Sequence, residues 1–179
     1  MDHDLQADLY LGNDSHGPDL LYRKAPGKFV EAAAATLPVT AWNTRGMVAA
    51  DFNNDLLMDC FIASSAPLTF RERLAYGEPN STDYYRIMGT PAARQMPWNA
   101  MYANTGTALF REIAGPAGVR YTGTSWAAKA GDYDCDGRAD LFIANGQARD
   151  WTALPGRDLV GETGILKKSV LNGDWILKG

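Results

Sequence analysis

Apolar residues in this chain fall in short runs separated by clusters of Gly, Pro, Asn and Asp. Runs this short, rich in β-branched and aromatic residues and bounded by turn formers, read as strands. The pattern predicts strands at 9–11, 20–22, 28–30, 46–50, 60–63, 99–102, 109–113, 125–130 and 141–143. Pro26-Gly27 and Thr105-Gly106 supply turns between neighbouring strands. Residues 31–36 are Ala-rich and favour a helix by propensity, but a run so short is marginal, so a strand end running into a turn is expected. Near the C-terminal end, Asn172-Gly173 sits between Ser169-Val170-Leu171 and Trp175-Ile176-Leu177, a strong local hairpin signal.

The polar stretches between strands also repeat. Residues 130–146 read A-G-D-Y-D-C-D-G-R-A-D-L-F-I-A-N-G, with Asp132, Asp134, Asp136 and Asp140 spaced along a loop that leads straight into a strand. Alternate carboxylates on a tight loop converge their oxygens, which suits a hard cation such as calcium. Gly137 gives the loop its sharp turn, and Arg138 is expected to add its backbone carbonyl. An EF-hand opens with the same D-x-D-x-D-G but needs a Glu at its twelfth position. Here that position is Ile143, inside the apolar run, and an EF-hand is excluded.

A second copy lies at 48–64, where Asp51, Asn53, Asp55 and Asp59 fall in register with those acids and Leu57 takes the carbonyl position. Leu56 replaces the glycine; if the turn is left-handed there, a non-Gly residue costs about 1–2 kcal/mol, so weaker calcium binding is expected of this loop. A third copy opens the chain, with Asp2, Asp4 and Asp8 matching the last three acids and no counterpart of the first. Poor binding is expected there. A loop-then-strand unit recurring in this way implies a repeat architecture.

Each unit reads as strand, metal loop, strand, turn, strand, turn, strand, which is the blade of a β-propeller. The units, at about 1–37, 45–115 and 124–179, resemble FG-GAP/VCBS repeats, the calcium-loop blades of integrin alpha subunits. The D-L-F-I-A-N strand with later N-A-M-Y and L-F-R-E-I segments is similar to bacterial proteins related to cartilage acidic protein, of ASPIC/UnbV type. The fold class expected is all-β, a partial β-propeller of about three such blades. The resemblance implies a closed ring of about seven blades, within the range such rings take, in an extracellular or periplasmic setting. Three units do not close a ring, so the sequence reads as a fragment of a larger propeller that, when isolated, is expected to self-associate or remain loosely folded. The resemblance further implies a calcium-stabilised binding module; the alternative is the accessory propeller of a secreted enzyme, for example one acting on polysaccharide.

Composition changes this picture little. With 21 acidic against 17 basic residues the net charge is −4, which gives no nucleic-acid footprint. No apolar run is long enough for a membrane span, and an apolar signal segment does not follow Met1. Catalytic signals are thin. His3 and His16 are the only histidines, and Gly123-Thr124-Ser125-Trp126-Ala127 lacks the last glycine of G-x-S-x-G and leads into a strand. Cys60 and Cys135 occupy different repeat positions, and two free thiols with Cys60 buried are favoured over the alternative, a disulfide between them. Asn13-Asp14-Ser15 and Asn80-Ser81-Thr82 match the glycosylation acceptor pattern, which is common by chance. An insertion at 66–97 carries Arg71, Arg73, Arg86, Tyr76, Tyr84 and Tyr85, residue types enriched at binding hot spots. It is the expected place for a protein or glycan ligand, particularly one bearing carboxylates; the alternative is a covering loop packed over a blade edge.

Overall fold

The computed structural model describes residues 6–14, 17–65, 95–122, 125–145 and 165–167. A central antiparallel sheet contains β5 (Thr44–Ala50), β6 (Asp59–Ser64), β8 (Ala100–Asn104) and β9 (Phe110–Glu112), hydrogen-bonded in chain order. On one side lies the sheet of β1 (Leu9–Leu11), β2 (Leu20–Ala25) and β3 (Lys28–Glu31). On the other lies that of β10 (Ser125–Gly131), β11 (Asp140–Asn145) and β12 (Ile165–Lys167).

Side chains alternate across a strand with a period of two, and β6 uses both of its faces. Cys60 and Ile62 join Leu21, Leu37 and Tyr102 in the core toward the first sheet. Phe61 and Ala63 join Leu141, Ile143 and Val119 in the core toward the third. That two-sided burial explains why 60–63 reads as an unbroken apolar run. It also buries the Cys60 thiol and pushes its pKa up to about 12, foremost by desolvation. Cys135 is exposed, and both cysteines are free, as expected.

Two features hold the sheets in register. A Cβ on Gly46 of β5 would lie 3.1 Å from the Ala127 Cα and 3.2 Å from the Trp126 carbonyl oxygen, so glycine here permits a close backbone approach between neighbouring sheets. Beside it, Arg45 joins the loop after β1, the end of β6 and the third sheet. Its Nη1 meets Asp14 Oδ2 at 2.7 Å, its Nε donates to Ser65 Oγ at 2.8 Å, and the guanidinium lies 4.9 Å from the centre of the Trp126 ring. Arg45 and Trp126 sit at equivalent register shifts, between Thr44 and Gly46 and between Ser125 and Ala127. Such bulges re-aim a side chain out of the regular alternation.

One reading of the sequence needs correction. Residues 33–36 form a short helix, α1 (Ala33–Thr36), where a turn was expected. Glu31 Oε1 accepts the Ala33 N–H at 2.6 Å, which satisfies one of the donors a helix start leaves open. At the end of the stretch expected as an insertion, β7 (Gln95–Met96) pairs in parallel with β4 (Thr40–Ala41), and Met96 is buried in the core toward the first sheet. In the third sheet, β12 pairs antiparallel with β11. The hairpin expected around 172–173 and most of the insertion lie outside the described residues. The architecture is all-β: stacked antiparallel sheets with cores between them, a partial β-propeller.

Candidate metal centre

The loop joining β10 to β11 is shaped by its own carboxylates. Asp132 accepts the N–H groups of Asp136 at 3.0 Å and Gly137 at 2.8 Å. Asp136 Oδ1 accepts the Arg138 N–H at 3.0 Å. The turn this enforces brings one oxygen each of Asp132, Asp134 and Asp136 within 4.8 Å of one another, all on exposed side chains. Two oxygens on opposite sides of a calcium ion are about 4.8 Å apart, twice its bond length, so the three carboxylates fit within one ion's coordination sphere. The donors are hard, anionic oxygens, the chemistry calcium takes. Among the described residues no other set of three or more acidic, His or Cys side chains converges in this way.

Two of the expected ligands have further roles. The Arg138 side chain turns back onto Asp136, donating from Nη2 at 2.7 Å and Nε at 3.1 Å to Oδ2, so a tethered cation already answers one carboxylate. Asp140 lies outside the set of three and is buried where the loop enters β11, its Oδ2 accepting the Tyr133 N–H at 3.0 Å.

The loop between β5 and β6 repeats this arrangement. Asp51 accepts the N–H groups of Asp55 and Leu56, Asp55 accepts that of Leu57, and the buried Asp59 accepts that of Phe52. Asn53 differs: its amide Nδ2 donates to Asp55 Oδ2 at 2.8 Å. Both loops place two residues in the left-handed region, Asn54 and Leu56 with φ of 59° and 67° in one, Cys135 and Gly137 with 61° and 81° in the other. The sequence pointed to one such position per loop, at the glycine.

Leu56 therefore adopts the strained turn, and it does so with its side chain 86% exposed, gaining no burial in return. Changing Leu56→Gly is expected to stabilise the protein by about 1 kcal/mol in a denaturant titration. A destabilised variant would show that the leucine makes compensating contacts.

In the first unit, Asp8 caps the sheet as Asp59 does the next, its Oδ1 accepting the Lys24 N–H at 3.0 Å. Asp2 and Asp4 lie outside the described residues.

Sequence reasoning missed a second set of polar residues, at the strand ends far from the loops. Buried Asp19 accepts hydrogen bonds from the Asn13 N–H, the Tyr10 hydroxyl and the Thr44 hydroxyl at 2.6–2.7 Å, tying the first sheet to the start of β5. Burial raises its pKa, against the opposing effect of those three donors. Its repeat equivalent is Asn99, which accepts the Ser64 N–H at 2.8 Å and donates to the Val119 carbonyl at 3.0 Å and Thr122 Oγ1 at 2.7 Å. Thr122 in turn meets Ser125, the first residue of β10, at 3.0 Å. The signal was present in the alignment of 19–22 with 99–102, which sets one polar residue before each apolar strand.

Stacked antiparallel sheets, two of them with an acidic loop between their first two strands, define a propeller-type repeat protein. Residues 1–62 match the model of the FG-GAP-like repeat, about one third of the chain. The match takes in the first sheet, the loop at 51–59 and the start of β6. No curated protein matches the chain.

Proposed function

We propose that this protein is a calcium-stabilised propeller module that binds a partner rather than turning over a substrate. The observation that carries the metal assignment is the convergence of Asp132, Asp134 and Asp136 within 4.8 Å on a loop built by backbone hydrogen bonds. These three side chains would hold the ion, with Arg138 and Asp140 completing or supporting the loop. Bound calcium would neutralise the acids and pin the connection between β10 and β11. The loop at 51–59 offers Asp51, Asn53 and Asp55, one charge fewer, and is the weaker site.

The resemblance to FG-GAP/VCBS proteins, including those of ASPIC/UnbV type, supports an extracellular or periplasmic setting. Recognition is assigned to the insertion, a feature of one unit only, whose Arg and Tyr residues suit a carboxylate-bearing glycan or an acidic protein surface.

Calorimetric titration with calcium tests the metal reading. The wild type is expected to show one dominant site, and Asp134→Ala to weaken it by about tenfold or more, the loss of roughly 1.4 kcal/mol or more. Undiminished binding in the variant would overturn the assignment.

A further inference from the structure

The edge of the middle sheet that carries the acidic loop at 51–59 also carries the turn joining β8 to β9. Leu56, Met58 and Leu109 are 86%, 45% and 57% exposed there. The two loops are held together: Asn104 Nδ2 donates to the Met58 carbonyl at 3.3 Å, and Thr105 Oγ1 donates to the Leu109 carbonyl at 2.7 Å. A Cβ on Gly106 would lie 3.5 Å from Leu57 Cδ1. The third unit has Gly137, Arg138 and Ala139 where the middle unit has Leu56, Leu57 and Met58, so the repeat itself does not call for this apolar tip.

Leu56 is the sharpest case. It holds a left-handed backbone, φ 67°, which favours glycine, and its side chain stands in solvent. The fold gains nothing from a leucine at this point, and residues that cost stability are kept where function uses them.

The neighbouring charges define the kind of surface that would meet it. Arg23 Nη2 donates to the Ala108 carbonyl at 2.7 Å, which sets the β2–β3 hairpin against the 105–109 turn. Residues 20–30 of that hairpin carry Arg23, Lys24 and Lys28 and no acid. Asp51 and Asp55, by contrast, turn their oxygens onto N–H groups of their own loop. Aliphatic side chains on a convex tip enter a lipid interface, and Lys and Arg beside them are drawn to anionic headgroups. A protein interface is anchored instead by aromatic residues and Arg, with Leu under-represented, and neither 56–58 nor 105–109 holds an aromatic residue. We propose that this edge docks on an anionic lipid surface, with Leu56, Met58 and Leu109 entering the interface and Arg23, Lys24 and Lys28 facing the headgroups.

Flotation of the full chain with vesicles of equal parts phosphatidylglycerol and phosphatidylcholine tests this. Chelator is present throughout, so that calcium bridging between carboxylates and phosphates plays no part and the metal reading is tested separately. The wild type is expected to float with these vesicles, and to do so less at high salt or with phosphatidylcholine alone. Leu56→Asn, a residue suited to the left-handed turn, is expected to keep the circular dichroism of the wild type and to weaken binding by about tenfold. Wild type that stays in the vesicle-free fraction would overturn the proposal and leave an apolar protein pocket as the occupant. Equal binding to neutral vesicles, or a Leu56→Asn protein that floats as well as wild type, would overturn it too. A second measurement holds even if that variant fails to fold. An environment-sensitive dye is attached at Met58→Cys or, as the control, at Ala35→Cys on α1 at the opposite edge, each with Cys135→Ser. Adding vesicles is expected to shift the emission to the blue at position 58 and not at 35; a shift at neither position, or equally at both, would overturn the proposal.

Discussion

Replacing Asn99 with Ala is expected to lower the unfolding free energy by about 3 kcal/mol, near the upper end for a single substitution. Asn99 is buried, and its side chain makes three hydrogen bonds, one to the end of β6 and two to the stretch 119–122. Alanine would strand the Ser64 N–H, an unsatisfied buried donor that costs about 1–3 kcal/mol. The Val119 carbonyl and the Thr122 hydroxyl would each lose a donor as well. Asn99→Asp separates geometry from chemistry: it keeps the acceptor for Ser64 but loses both donations, and a carboxylate here has only acceptors to face Val119. Chemical denaturation of the three proteins should rank wild type above both variants. An Ala variant as stable as wild type would show that Asn99 fills space and nothing more.

The second large effect concerns Asp59 and pH. Burial pushes its carboxyl up to about 6, with Asp55 and Asp51 adding to the rise and the N–H groups of Asn104 and Phe52 opposing it. A carboxyl titrating higher in the folded chain than in the unfolded one, where it lies near 3.9, favours folding only while protonated. Stability of the metal-free protein is therefore expected to be greatest below about pH 4 as far as this group is concerned. It should fall as pH rises through about 6 and then level off, by about 3 kcal/mol in all. Denaturant titrations in chelator from pH 4 to 7 would show the fall in the wild type and a shallower one in Asp59→Asn, where buried Asp19, also raised by desolvation, still contributes. The same slope in both proteins would assign it to another group.

Most of the strand layout was legible because strand signals here are local. Apolar triplets such as Leu9–Leu11 and 141–143 sit between turn formers, and the acidic loops mark where each repeat begins. The parallel pair of β4 and β7 was not legible. Two residues carry no periodicity, and the pairing joins segments more than fifty residues apart. The left-handed Asn54 and Cys135 escaped notice because neither is glycine. The loop carboxylates were found because their spacing is the signal, but spacing did not separate Asp140 from Asp132, Asp134 and Asp136. That distinction depends on burial: Asp140 lies at the foot of β11, and the other three remain exposed.

A stack of repeats that touch only their neighbours behaves as a one-dimensional array, each unit able to melt while the unit beyond its neighbour stays folded. Arg45 adds a link between the two couplings. On the middle sheet, its one guanidinium meets Asp14 in the loop after β1, Ser65 just beyond β6 and Trp126 of the third sheet. The contacts of the middle sheet to both of its neighbours thus share a single side chain, which ties their states together. Proteolytic nicking at one end should loosen protection at the other, and that long-range response should disappear in Arg45→Gln while neighbour-to-neighbour coupling through the two apolar cores persists.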